Sequence, residues 1–407
     1  MKTLQTDIII IGGGLVGASI ALALQASPYQ VAIIEANSSQ QLQDGDFDAR
    51  SIALSDASTH ILQSIGVWQD IQKKAVAIKK IHVSKQQQFG RTLLDAAKHQ
   101  LSAFGHVAEL SHLNQALQPK LETVKNLTHF YSTKLTQLKE TKNSIVATID
   151  HKGKTQQIEA KLLIAADGTN SFVRKLMNIE NIIHDYHQNA IVANIGLRRP
   201  HQNIAYERFT QNGLIAMLPM SQQRSALVWA VASQNTQKLM AISDDDFINQ
   251  LQNEFGYRLG KFTKVGKRFT FPLGLQQLEK TCYGRVAFIG NAAQTLHPVA
   301  GQGFNLGLRD AAFLAELLAE QHPESLDCNN LAKQYENVRK EDKQRIIMST
   351  NQLVNFFALN HFPFPSSQSA GLIATDLSGL LQSQLIYHAM GYGDHNSKLA
   401  CQIPLEG

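Results

Sequence analysis

The chain has 407 residues, 43% hydrophobic and 17% charged, enough for two or three domains around a large core. Its formal charge of +5 comes without a dense Lys/Arg block, which argues against a nucleic-acid partner. Three cysteines, Cys282, Cys328 and Cys401, stand at unrelated spacings, which excludes a disulfide framework and a cysteine metal site and fits a reducing cytoplasm.

Ile8–Ile11 are four β-branched residues in a row, as expected of a strand covered on both faces. Gly12-x-Gly14-x-x-Gly17 follows and opens an apolar helix. Gly12 allows a tight turn, Gly14 lets the backbone approach a pyrophosphate, and Gly17 lets the helix lie close to the strand. The helix N-terminus then turns its free N–H groups toward phosphate. A second strand, Val31–Glu35, ends in an acid. Glu35 lies 18 residues past Gly17, close to the ~20 expected of a carboxylate that bonds a ribose hydroxyl. Only Lys2 precedes the apolar run and Asp7 opens it, so the stretch reads as part of the fold and not as a signal peptide or anchor.

A polar loop, Ser38–Asp48, leads to Phe47-Asp-Ala-Arg50-Ser-Ile-Ala-Leu-Ser55 and a helix over Asp56–Ile65 capped by Ser55. Arg50 suits either a phosphate or flavin-edge contact or a surface ion pair. Lys79–Leu94 reads as a strand pair turning at Phe89-Gly90-Arg91, and Leu110–Val124 as a helix. Leu127–Gln137, Ser144–Ile149 and Ile158–Ala166 read as strands, the last ending in Asp167-Gly168 before a helix. Asp167 therefore stands at the carboxyl end of a strand, where open α/β sheets bind ligands. It is equally suited to cap the helix behind it.

Ala190–Leu197, Ile204–Phe209, Leu214–Leu218 and Ser225–Ala232 are short strands in close succession, a β-rich layer of different character. A helix over Asp244–Phe255 and a strand over Arg268–Leu273 lead back. The second dense motif runs from Val286 through Gly290-Asn291-Ala-Ala-Gln-Thr-Leu-His297-Pro to Gly301-Gln302-Gly303-Phe304-Asn305, then a long helix through Leu318. Such a helix start carries roughly half a positive charge and favours an anion, as a reduced flavin is near N1. No second GxGxxG follows, so no separate nicotinamide fold is visible. Two amphipathic tail helices, around Ile346–Phe357 and Leu372–Leu385, suit ordinary packing or a membrane or partner surface. No apolar run after the first helix reaches the ~20 residues of a transmembrane helix.

The three glycine-bearing motifs, in this order, resemble the single-component FAD aromatic hydroxylases of the p-hydroxybenzoate hydroxylase type. With Phe47–Ser55, Ile65-Gly-Val-Trp68, Glu207-Arg-Phe-Thr210, Ala216-Met-Leu-Pro219 and Gly290–Pro298, the chain is similar to the ubiquinone-biosynthesis FAD-dependent hydroxylases from at least Asp7 to Phe357. The resemblance implies an α/β fold. Its FAD-binding Rossmann-like domain of the GR2 type carries an inserted β-sheet substrate domain and C-terminal helices. The implied FAD domain is discontinuous, 1–75 with 100–180 and 275–345; the substrate domain is 76–99 with 181–274, and 346–407 is the helical region.

The implied activity is hydroxylation of a polyprenylated methoxyphenol in ubiquinone biosynthesis, through a flavin C4a-hydroperoxide. Gly12, Gly14 and Gly17 would hold the FAD pyrophosphate and Glu35 the adenosine ribose. Arg50 and Asp167 would sit near the cofactor, Asn291 beside the ribityl chain, and the backbone of Gly301, Gln302, Gly303, Phe304 and Asn305 would face the isoalloxazine. The wider superfamily carries Asp where Asn291 stands; an amide still accepts from a ribityl hydroxyl but brings no charge. His297 is the candidate for a polar contact to the phenol, with ordering of its loop as the other role. Ala190–Leu197 and Leu214–Pro219 are expected to wall the prenyl channel. Expected partners are the polyprenyl phenol, O₂, an electron donor (NAD(P)H or a redox protein), and a peripheral membrane or ubiquinone-complex contact through the tail helices. The implied place is the cytoplasm, at or near the inner membrane. A related hydroxylase of another ring position or of a soluble phenolic acid, and a non-catalytic prenyl-lipid binder, remain as alternatives.

Overall fold

The run Ile8–Ile11 is buried at every position, and the reason lies in what covers each face. In the computed structural model, which describes residues 3–43, 51–211, 213–297, 301–358 and 364–405, it lies within a six-stranded sheet. The order is Cys282–Tyr283, Val286–Phe288, Leu162–Ala165, Ile8–Ile11, Val31–Ile34, Leu127–Phe130. All neighbours are parallel except the Cys282–Tyr283 edge. Ile8 and Ile10 face the helices Leu15–Ala23, Leu110–Glu122 and Gln302–Ala319. Ile9 and Ile11 face a second sheet of four strands, through Leu135, Ile145, Ile149 and Ile158. A strand with apolar cover on both sides has no polar face, hence the unbroken isoleucines.

The stretch expected as one strand over Leu127–Gln137 is two. Leu127–Phe130 joins the parallel sheet and Thr133–Glu140 joins the four-stranded one. Ser132, at φ 51°, turns the chain between them.

The β-rich layer is a nine-stranded sheet. Its main order is Gln294–Thr295, Phe269–Gln277, Ile182–Leu197, Arg224–Ala232, Gly213–Met220, Ile204–Thr210, Lys80–Lys85, Arg91–Asp95, and Phe262–Val265 pairs with the long strand. One face carries the helices Ser233–Ala241 and Asp244–Phe255, packed through Ile195, Met217, Trp229, Phe247 and Phe255. The far edge is closed by the helix Phe364–Leu377: Leu93 N–H donates to Asp376 Oδ1 at 2.7 Å and Thr92 Oγ1 to Leu372 O at 2.9 Å. A helix side chain thus satisfies an edge that would otherwise template another strand. A small three-stranded sheet has the order Ser51–Ser55, Gly105–Glu109, Val76–Ile78. The tail adds the helices Cys328–Ala358, Phe364–Leu377 and Gly379–Ala389. Among the described residues, no helix is long and apolar enough to cross a membrane.

Candidate active site

The first glycine corner has the geometry its spacing demands. Gly12 sits at φ 100°, and a Cβ there would stand 2.5 Å from Ala166 O. A Cβ on Gly17 would stand 1.9 Å from Gly12 O, so the helix reaches its place only with hydrogen at that position. Gly14 is different: a Cβ would meet no protein atom within 4 Å. It opens on empty space at the uncapped start of the helix Leu15–Ala23, where backbone N–H groups face outward. Glu35 is buried beneath this turn. Its Oε2 accepts from Gly13 N at 2.7 Å and its Oε1 from Asn37 N at 2.7 Å and Nδ2 at 2.8 Å. The carboxylate therefore also braces the turn, a role the spacing alone does not reveal.

The second corner touches the first, since Asp167 Cα lies 3.0 Å from a Cβ built on Gly12. Asp167 Oδ2 accepts from Phe172 N at 2.7 Å and Val173 N at 3.0 Å, capping the helix behind it. Its Oδ1 is buried with no partner among the described residues. A buried carboxylate oxygen without a donor is costly unless a ligand supplies one.

The third corner closes on both. A Cβ on Gly290, at φ 58°, would meet Val16 at 3.2 Å, and one on Gly307 would meet Gly290 Cα at 2.9 Å. Arg174 reaches across from the second motif, donating to Ala292 O at 2.9 Å and to Thr169 O. Thr295 Oγ1 bonds Thr169 Oγ1 at 3.1 Å. Asn305 works as a clamp: Nδ2 donates to Gly301 O at 2.8 Å and Ala53 O at 2.9 Å, and Oδ1 accepts from Ser55 N at 2.9 Å. It holds the left-handed Gly301, φ 60°, at the start of the helix Gln302–Ala319. A Cβ on Gly303, like one on Gly14, would meet nothing within 4 Å. Arg50 and Pro298 lie outside the described residues.

Behind this corner is an ion cluster that sequence reading does not find. Asp310, fully buried, accepts from Gln294 Nε2 at 2.6 Å and Gly290 N at 3.4 Å and pairs with Arg339 Nε at 2.9 Å and Lys343 Nζ at 3.3 Å. Asp342 joins Arg339 at 2.5 Å and Arg309 at 2.9 Å. Burial pushes the Asp310 carboxyl up, but Lys343, Arg339 and Gln294 outweigh it and leave its pKa below the usual carboxylate value. The Gly290–Gln294 turn is thereby tied to two helices from beneath.

Above the turn is a cavity of about 640 Å³. Asn291, Thr295, Gly301, Gly303, Phe304 and Asn305 form part of its wall. The sheet contributes Ile81, Val83, Glu207, Ala216, Leu218 and Val228. The tail contributes Phe356, Phe357, Leu372, Thr375, Leu385 and Ala389. Of the two segments expected to wall the channel, Leu214–Pro219 does so and Ala190–Leu197 does not. Among the described lining residues there is no Lys, Arg or His, and Glu207 is the only ionisable side chain. Arg208 points to the opposite sheet face, its Nε donating to Glu254 O at 3.1 Å. His297 is 2% exposed and does not line the cavity; its ring packs edge-on against Tyr186 with centroids 5.2 Å apart. Burial pushes its pKa down to about 4, so the imidazole is neutral at pH 7. Which way the ring turns is set by the packing around Tyr186, which the sequence does not show.

The FAD binding domain family matches residues 5–350. Ubiquinone hydroxylase UbiL of Rhodospirillum rubrum is 32% identical over 407 aligned positions, covering 98% of this chain and 93% of its own. The 3-demethoxyubiquinol 3-hydroxylase of Escherichia coli K12 is 29% identical, covering 96% and 100%. The crystal structure of p-nitrophenol 4-monooxygenase PnpA from Pseudomonas putida DLL-E4 shares the fold, with a TM-score of 0.78 at 16% identity over 97% of this chain and 100% of that one. The residues present fit the cofactor these relatives imply. Open backbone at Gly14 and Gly303 leaves room at both ends, and Asp167 Oδ1 awaits a donor such as a sugar hydroxyl. The chain belongs to the FAD binding domain family, among the FAD-dependent monooxygenases that include the ubiquinone-biosynthesis hydroxylases.

Proposed function

We propose that this monooxygenase hydroxylates the ring of a polyprenylated methoxyphenol as a step of ubiquinone biosynthesis. The observation that carries this reading is the cavity: the glycine loop, the sheet and the tail helices wall it together, and no Lys, Arg or His is among its described lining residues, the nearby Lys85 Nζ being bonded to Phe357 O and Gln368 Oε1. A soluble phenolic acid would need a fixed cation for its carboxylate. The nearest candidate by sequence, Arg208, is committed on the other side of the sheet. A prenyl tail needs only apolar wall, and each buried CH₂ contributes roughly 0.8 kcal/mol, so a few isoprene units dominate affinity.

Bound FAD supplies the activation of O₂ and the oxygen atom delivered to the ring. The protein's own residues do the rest. Gly12, Gly14 and Gly17 hold the pyrophosphate, Glu35 the adenosine ribose, Asp167 and Asn291 the ribityl side, and the Gly301–Asn305 backbone the ring. Asn305 fixes that backbone at Gly301, and Asp310 fixes the Gly290–Gln294 turn beside it. The apolar wall excludes water, which would otherwise divert reducing equivalents to H₂O₂. His297, neutral and behind the wall, positions the loop. In this reading residues 1–75, 100–180 and 275–345 form the FAD domain, 76–99 with 181–274 the substrate domain, and 346–407 the helical cover.

A substrate of this class resides in a bilayer. Leu377 and Leu380 are 81% and 83% exposed on the tail helices, beside Leu385, which is half exposed and also lines the cavity. We take this surface as the contact through which the lipid enters, at the periphery of the inner membrane. The electron donor is NAD(P)H or a redox protein. Turnover of a prenylated methoxyphenol, its unprenylated parent and a phenolic acid tests the reading. The expected kcat/KM falls at least ~100-fold without the prenyl group. Equal or better turnover of the phenolic acid would overturn it.

A further inference from the structure

We infer that the substrate's prenyl tail crosses the cavity wall at Gly371, and that the missing side chain there sets the length of tail accepted. The inference rests on the reading above and adds a specificity-determining residue to it. The cavity, about 640 Å³, has the size of a site for one drug-sized molecule. A methoxyphenol ring with several isoprene units is longer than that, so the tail must leave through the wall. Most of that wall is covered by other residues. Its exposed members among the described residues are Asn291, at the glycine turn, and Phe356, Gly371 and Leu385, all in the tail helices.

Gln368, Gly371, Leu372 and Thr375 line the cavity at spacings of three and four, the signature of one face of the helix Phe364–Leu377. This helix is tied to the sheet edge along that length. Leu93 N–H donates to Asp376 Oδ1, Thr92 Oγ1 to Leu372 O, and Lys85 Nζ to Gln368 Oε1 at 2.7 Å. Swinging it aside would break all three bonds, so room for a tail has to come from the helix's own surface. Gly371 lies inside the helix without a positive φ, and a Cβ there would meet no protein atom within 4 Å. Neither conformation nor packing demands glycine, and alanine would stabilise a helix interior at this position. The polar groups on the same face are already engaged: Thr375 Oγ1 donates to Gly371 O at 2.9 Å and Gln368 Nε2 to Phe356 O. The helix therefore offers hydrocarbon a gap as deep as its backbone, beside Leu372. Leu377 of the proposed membrane contact stands six residues on in the same helix, about 9 Å along its axis.

The test uses the FAD-loaded enzyme with Gly371→Ala and Gly371→Leu. Ala374→Leu is the control, at an exposed position of the same helix that does not line the cavity. The probes are methoxyphenols carrying a dimethylallyl, a geranyl or a farnesyl group. Wild-type kcat/KM is expected to rise with each added unit. In Gly371→Leu the farnesyl-to-dimethylallyl ratio of kcat/KM falls at least ~10-fold, and in Gly371→Ala ~3-fold. The ratio of dissociation constants, read by flavin fluorescence, moves with it. Gly371→Ala at the same time raises Tm by about 1 °C, as expected where glycine serves the ligand and not the fold. Ala374→Leu keeps both ratios within about twofold of wild type. Ratios unchanged in Gly371→Leu, an equal fall in Ala374→Leu, or a lower Tm in Gly371→Ala overturns the inference and leaves the proposed function standing. A wild type indifferent to tail length, or inactive on all these probes, removes the proposed function, and this inference with it.

Discussion

Two glycines five ångströms or so apart along one turn are expected to fail in opposite ways. At Gly17 an added Cβ would sit 1.9 Å from Gly12 O, where a real carbon–oxygen contact needs more than 3 Å. The helix must move outward by about an ångström, and overpacking of this kind costs ~1–3 kcal/mol. At ~2.1 cal/mol/K per residue, the 407-residue chain has an unfolding entropy of ~0.85 kcal/mol/K, so Gly17→Ala lowers Tm by ~1–4 °C even without cofactor. Gly14→Ala meets nothing within 4 Å, so the stability of the cofactor-free protein should not change. Its methyl group instead fills the space a pyrophosphate would take, and FAD affinity should fall ~10–100-fold, or ~1.4–2.7 kcal/mol. Differential scanning fluorimetry of the cofactor-free variants and titration with FAD give both numbers. Wild-type FAD affinity in Gly14→Ala would refute the assignment of this turn to the pyrophosphate.

Three further outcomes are expected. Asp310→Asn leaves Arg339 and Lys343 buried without their shared anion and should cost ~3–5 kcal/mol in denaturant unfolding, with faster loss of FAD; a cost under ~1 kcal/mol would contradict the role given to the cluster. His297 and His82 are both pushed down to about 4 by burial, with Arg258 adding to it at His82, so between 6.5 and about 4 the unfolded chain binds more protons than the folded one. Stability should therefore hold above pH 6.5 and fall as the pH drops below it, by up to ~1.4 kcal/mol per pH unit per histidine; Tm measured from pH 7.5 to 5 checks this, and a flat profile would contradict it. Replacing Leu377, Leu380 and Leu381 by serine should weaken flotation with phospholipid vesicles at least ~5-fold without changing Tm, and unchanged flotation would remove the proposed membrane contact.

What sequence can show depends on whether its cause is local. Ile8–Ile11, the helix Asp56–Ser64 with Ser55 accepting from Ser58 N, and the helix Asp244–Phe255 were all legible, because periodicity and caps act within a few residues. The long strand Ile182–Leu197 was legible only from Ala190 onward; its first part is largely exposed and polar, so no apolar alternation marks it. The Asp310–Arg339–Asp342–Arg309 cluster was illegible because its bridges span 29 and 33 positions and look on paper like ordinary surface charge. The same holds for Arg174, whose bond to Ala292 O crosses 118 positions. The strand content of Ala190–Leu197 was read correctly, but its placement against the cavity was not: its inward residues Ile191, Ala193, Ile195 and Leu197 pack beneath the helices on the far sheet face. Which face of a sheet meets a ligand is decided by the neighbouring layers, which a single strand does not encode.

The origin of the new oxygen atom tests the proposed hydroxylation most directly. Purified FAD-loaded protein, an electron donor and a prenylated methoxyphenol are incubated under ¹⁸O₂, and the product is weighed by mass spectrometry. A hydroxylated product heavier than the substrate by one ¹⁸O atom is expected, and none of it when the same reaction runs without oxygen. Product bearing ordinary oxygen drawn from water, or consumption of donor and O₂ with only H₂O₂ formed, would contradict it.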